Sequence, residues 1–99
     1  MHIFQDKDGR YFVLLPDVWK HILEGHPEMG RCLEEIGETL AYPMVVYQSK
    51  KVEQRHLYYR RFRNKLYFVV VVDVSKGIIK TGYISDRIKE GKIIWRGKK

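Results

Sequence analysis

Four histidines, a run of arginines and tyrosines, and one hydroxyl pair are the side chains here suited to catalysis or ligand binding. The most suggestive spacing is His21-Ile22-Leu23-Glu24-Gly25-His26. On one continuous helix, residues five apart point about 140° away from each other, because each residue advances the helix by about 100°. The two imidazoles can therefore converge only if Gly25 breaks the helix. His26 precedes Pro27-Glu28, a helix-start signal. The positive end of a helix dipole there favours an uncharged ring that accepts a proton, as a general base must. The same residues have duller uses, His26 as a cap or half-buried packing group and His21 as a core-edge histidine. His2 and His56 have no comparable spacing. A zinc site is not expected, since this is not a His-Glu-x-x-His helix and lone Cys32 completes no tetrahedral set. No metal and no cofactor are expected.

Arg55-His56-Leu57-Tyr58-Tyr59-Arg60-Arg61-Phe62-Arg63 alternates as a strand does. Arg55, Leu57, Tyr59 and Arg61 share one face, and His56, Tyr58, Arg60 and Phe62 the other. Either face mixes guanidinium with aromatic rings, a combination that grips phosphate and stacks bases. The alternative is a solvated strand whose arginines keep an edge soluble. In Ile78-Ile79-Lys80-Thr81-Gly82-Tyr83-Ile84, Thr81 and Tyr83 set two hydroxyls on one face, with Lys80 on the other; hydroxyl pairs are ordinary in strands.

The element that must position these groups is Leu66-Tyr67-Phe68-Val69-Val70-Val71-Val72, seven apolar residues closed by Asp73 and a Ser75-Lys76-Gly77 turn. Aromatic and β-branched residues at this density predict a central strand covered on both faces. Before it, Ile3-Phe4 and Tyr11-Phe12-Val13-Leu14-Leu15 flank Asp8-Gly9, a hairpin signal, so residues 1–15 form a β-ribbon or a strand entering the sheet. Pro16-Asp17 ends the strand, with Asp17 placed to cap a first helix whose stripe is Val18, Trp19, Ile22 and Leu23. A second helix starts at Pro27 and buries Met29, Cys32, Leu33, Ile36 and Leu40. Residues 17–41 thus carry two helices and residues 44–96 the sheet. Met44-Val45-Val46-Tyr47-Gln48 is a strand, and the charged 49–54 loop needs no special role. From Arg55 onward short connections predict an antiparallel meander. Residues 85–91 read as a helical turn or short helix, Lys92-Ile93-Ile94-Trp95-Arg96 as an edge strand, and Gly97-Lys98-Lys99 as a frayed tail. The fold class expected is α+β, with the ribbon and two helices on one face of a curved four- to five-stranded antiparallel sheet.

The chain of 99 residues is one domain, and its net charge of +7 suits phosphate-bearing partners or anionic membranes, or equally a basic protein that is merely kept soluble by its charge. A single cysteine forms no internal disulfide, and no apolar run is long enough for a signal peptide or a bilayer span; a cytoplasmic protein without membrane association is expected.

Trp19-Lys20-His21-Ile22 with His26-Pro27-Glu28, Thr39-Leu40 before Pro43, Tyr58-Tyr59, the valine strand, Thr81-Gly82-Tyr83, and Ile88-Lys89-Glu90-Gly91 before Ile94-Trp95 come in an order that resembles the phage-borne PBECR nucleases. These belong to the barnase, EndoU, colicin and RelE-like group. The resemblance runs from about Trp19 to Trp95 and leaves the N-terminal ribbon outside. Where the family is expected to carry Thr-Ala-Tyr this chain has Thr81-Gly82-Tyr83, which keeps both hydroxyls.

The resemblance implies a cleft between the sheet and the end of the first helix, with His21 and His26 as the helix histidines, Thr81 and Tyr83 as the hydroxyl pair, and Arg60 or a neighbouring arginine as the phosphate clamp. Arg55, Tyr58, Arg61, Lys80 and Arg87 complete the expected RNA-contacting set. The chemistry implied is metal-independent RNA cleavage. His26 takes the 2′ proton, His21 or Tyr83 protonates the leaving 5′ oxygen, and Arg60 and Lys80 stabilise the phosphorane, giving a 2′,3′-cyclic phosphate. Two alternatives stand beside it: a non-catalytic basic module that binds nucleic acid with the same arginines and tyrosines but without need of the histidines, and a RelE-like toxin silenced by an acidic antitoxin or immunity protein.

Overall fold

The computed structural model describes residues 1–89 and 91–97. Its strands are β1 (His2–Gln5), β2 (Tyr11–Leu14), β3 (Val45–Ser49), β4 (Arg55–Arg63), β5 (Leu66–Asp73), β6 (Ile78–Ser85) and β7 (Gly91–Arg96). Two α-helices, α1 (Pro16–Gly25) and α2 (Leu33–Ala41), lie between β2 and β3, separated by a 3-10 helix over Pro27–Arg31.

All seven strands join one mixed sheet in the order β1-β2-β6-β5-β4-β3-β7. This corrects the expected four- to five-stranded antiparallel sheet with a separate ribbon. The hairpin β1-β2 is part of the sheet because β2 pairs in parallel with β6 at Val13 and Ile78, and the Val13 N–H donates to the Gly77 carbonyl at 2.9 Å. Parallel pairing between segments this far apart has no local sequence signal. The meander holds for β3-β4-β5-β6 with β4, β5 and β6 consecutive, but β7 leaves it and pairs with β3. The chain must therefore cross the sheet between β6 and β7. It does so as an irregular strap, where a helical turn was expected: among the described residues of 85–91 none is helical, and Glu90 lies outside them, as do Lys98 and Lys99 of the expected tail.

The valine strand, β5, is central as its composition requires, with Val69, Val70 and Val72 fully buried. Its alternation divides the core in two. Phe68, Val70 and Val72 face the helices with Phe12, Leu14, Ile22, Met29, Ile36, Leu40 and Tyr58. Val69 and Val71 face the opposite side with Val45, Leu57 and Tyr59, against Tyr47, Tyr67, Tyr83 and Ile88. The predicted helix stripes all pack on the first cluster. Two details of the helices differ. Pro16 itself begins α1 and Asp17 sits in the first turn without capping, since a proline's fixed φ and missing N–H suit the first helical position. The second helix is broken at Cys32, where the Met29 and Cys32 N–H groups bond three residues back, to His26 and Met29.

The β1-β2 turn reaches across the helix side to β4. The Asp6 carboxylate accepts the Asp8 and Arg10 N–H groups at 2.9 Å each, the Arg10 Nε–H at 3.1 Å and the Tyr58 hydroxyl at 2.7 Å. Gly9 turns the chain there with φ 85°, a conformation that favours glycine. Gly37 is required for a different reason: a Cβ at that position would lie 2.7 Å from the Phe4 ring, so its absence lets β1 pack on α2.

Candidate nucleic-acid groove

The face opposite the helices carries a groove of about 440 Å³ between the 49–52 loop and the strap. Its floor is Leu57, Val71 and Thr81, in register across β4, β5 and β6. Tyr83 and Lys89 form one wall, and Ser49, Lys50, Lys51, Val52 and Arg55 the other. The strap is held by the Lys89 N–H, which donates to the Tyr59 hydroxyl at 3.0 Å, and its Lys89 ammonium lies 5.9 Å from the Tyr83 ring centre. Among the described residues ten line the groove; four are cations, three carry hydroxyls and none is a carboxylate. Such a lining attracts phosphate and offers rings and aliphatic surface to bases.

His26 reaches this face from the side. The helix break at Gly25 carries its imidazole to Tyr83, where the rings stack with centroids 5.5 Å apart and planes 28° off parallel. This is possible because β2 pairs with β6 only at its start, which leaves the Tyr83 end of β6 without a strand neighbour on that side. The full helix dipole expected beside His26 is not formed, since Pro27–Arg31 make only a five-residue 3-10 helix. In its place the Glu28 carboxylate lies 3.5 Å from Nδ1, so that a neutral ring carrying its proton on Nδ1 would present Nε2 as the acceptor. Burial raises the Tyr83 phenol above its ordinary range and keeps it protonated. Tyr59 is raised too, by burial first and by neighbouring Tyr83 and Tyr47, against the opposing Lys89 N–H.

The other expected site residues are dispersed. His21 projects from α1 with its side chain 91% exposed, and its charged neighbour is Glu24 at 3.9 Å. Arg60 lies on the helix face: it pairs with Phe68, stacks its guanidinium 5.2 Å over that ring and approaches Glu38 at 3.8 Å. Strand alternation thus places Arg60 and Tyr83 on opposite sides of the sheet. Tyr58 is fully buried, its hydroxyl bonded to Asp6 and Arg10. Lys80 is the bulge residue of β6 and exposed, Arg61 rests over Tyr67 at 5.4 Å, and Arg87 lies in the strap with its side chain 87% exposed. Of the expected set, Arg55, Thr81, Tyr83 and, by contact with Tyr83, His26 come together. Lys50, Lys51 and Lys89 were missed, the first two in a loop given no role and the third in a supposed helix. A Cβ at Gly82 would meet the Val69 carbonyl at 3.5 Å and Met29 at 3.7 Å, ordinary contacts, so the Thr-Gly-Tyr spelling is not enforced by packing.

Among the described residues no group of three His, Cys, Asp or Glu is arranged to hold a metal ion, and no helix is long and apolar enough to cross a membrane. Comparison with protein-family models, with curated proteins and with solved structures finds no match to this chain.

Proposed function

We propose that this protein binds RNA in the open-face groove and cleaves it through the substrate's own 2′-hydroxyl. What supports the reading is the lining, with Arg55, Lys51 and Lys89 around Thr81 and Tyr83 and no carboxylate among its described residues, and an imidazole stacked on its Tyr83 wall. His26 Nε2 takes the 2′ proton, the 2′ oxygen attacks phosphorus, and the bond to the 5′ oxygen breaks. Tyr83, held protonated by burial, gives its proton to that leaving oxygen. Arg55 and Lys89 line the groove and take the charge-stabilising part first expected of Arg60 and Lys80. The products are a 2′,3′-cyclic phosphate and a 5′-hydroxyl.

Labelled total RNA incubated with the protein in EDTA tests this. The expected result is cyclic phosphate ends, an uncut DNA control, and a loss of about 10²–10⁴-fold in rate for His26→Ala, the usual worth of a positioned general base. A second reading, binding without cleavage, draws on one observation: the groove is lined by Tyr83 but not by His26 itself. Intact RNA that remains bound would favour it.

A further inference from the structure

The sheet has two outer edges, and they are built differently. At one, β7 is irregular: its pairing with β3 shifts register between Val46 and Tyr47, leaving Ile94 unpaired in the ladder. It also carries Lys92 and Arg96. Bulges and cations are how edge strands resist further pairing. Antiparallel self-pairing about Ile94 would set Lys92 of each copy against Arg96 of the other. At the opposite edge β1 has none of these guards. His2-Ile3-Phe4-Gln5 holds no Asp, Glu, Lys, Arg or proline, and its pairing with β2 is unbroken.

The hydrogen bonds of the hairpin decide which β1 groups point outward. The Asp6 N–H donates to Arg10 across the turn, so Asp6 and Arg10 are a hydrogen-bonded pair. Such pairs alternate along an antiparallel ladder, which makes Phe4 with Phe12 bonded and leaves Ile3 and Gln5 with their N–H and C=O directed away from β2. The Val13 N–H, opposite Ile3, points out of the hairpin as this alternation requires and bonds Gly77. The side chains agree. Ile3 is 60% exposed and Tyr11, on the same face, 65%.

We infer that β1 is a dimerisation edge, pairing antiparallel with β1 of a second copy about a twofold axis at Ile3. In that register Ile3 of each copy exchanges two N–H···O=C bonds with Ile3 of the other, His2 faces Phe4, and the Gln5 N–H meets the Met1 carbonyl. No like charges are opposed. The clefts that border β1 on the helix side are lined by Lys20 and Glu24 in one and Arg31 and Glu34 in the other. Each thus carries one cation and one carboxylate, and the axis turns one towards the other, so a second copy meets both signs despite the net charge of +7. The RNA groove lies on β4, β5 and β6 and stays open in this arrangement.

Sedimentation of the full chain up to about 1 mM, the weak end of specific association, tests the inference. The parent chain is expected to reach twice the monomer mass, with Ile94→Lys still dimeric. Ile3→Lys, which opposes two cations at the axis, and Ile3→Pro, which deletes only an outward N–H, are expected to sediment as folded monomers. Amide exchange needs no variant: the Ile3 and Gln5 N–H groups slow as concentration rises. A parent chain monomeric throughout, exchange rates independent of concentration, or a dimer surviving both Ile3 substitutions overturns it. The first of these would leave the edge to a strand from another protein.

Discussion

The two faces of the sheet share the same central strand but differ in how they are closed. On the helix side Val70 and Val72 meet α1, α2 and the 3-10 helix, and the buried Asp6 carboxylate is fully bonded. On the open side Val69 and Val71 are covered by tyrosines and a short strap, and Leu57 is left as a groove floor among cations. The first face is finished by packing. The second is finished only at its margins, and its remaining apolar surface lies beneath positive charge, where a phosphate-bearing ligand can cover it.

Substitutions confined to one face should separate the two. Leu40→Ala is expected to cost about 4 kcal/mol in urea unfolding, because fully buried Leu40 leaves a cavity enclosed by helix and sheet. Asp6→Ala should cost about 3 kcal/mol, since it strands the Tyr58 hydroxyl and the Arg10 N–H groups. Its pH signature has a definite sign. Burial pushes the Asp6 carboxyl up, but the Tyr58 hydroxyl, the Arg10 and Asp8 N–H groups and the Arg10 charge outweigh it and hold it below its ordinary value. A lowered folded value gives stability that is present above about pH 4 and lost as pH falls through it, so the parent chain should weaken in acid more than Asp6→Ala does. Leu57→Ala should cost least, about 2 kcal/mol, because the open groove admits water to the space it leaves. Equal costs for Leu40→Ala and Leu57→Ala would mean that both faces are closed alike.

Much of this was legible in the residues. The four-valine run announced the centre of the sheet, i, i+4 spacing gave both helix stripes, and period-two alternation put Leu57 and Tyr59 with Arg55. What escaped was set by long-range pairing. Nothing near Val13 signals its partner Ile78, and nothing in Lys92-Ile93-Ile94 tells that β7 lies beside β3. That second choice makes residues 86–89 a strap and brings Lys89 to Tyr59 and Tyr83. The mixture of arginine and tyrosine on both faces of β4 also hid which face was free. Tyr58 has the composition of a base-stacking residue, yet the hairpin turn seals it beneath Asp6 and Arg10.

Whether RNA is held on the open face is tested most directly by the salt dependence of binding to a single-stranded oligoribonucleotide. Removing one phosphate contact lowers the slope of log affinity against log salt by about 0.7. Arg55→Gln with Lys89→Gln should therefore weaken binding and flatten the slope by about 1.4, twice that amount, while Lys20→Gln with Arg31→Gln, on the helix side, should leave it unchanged. An unaltered slope in the groove variant, or an equal loss in the helix-side variant, would contradict binding on this face.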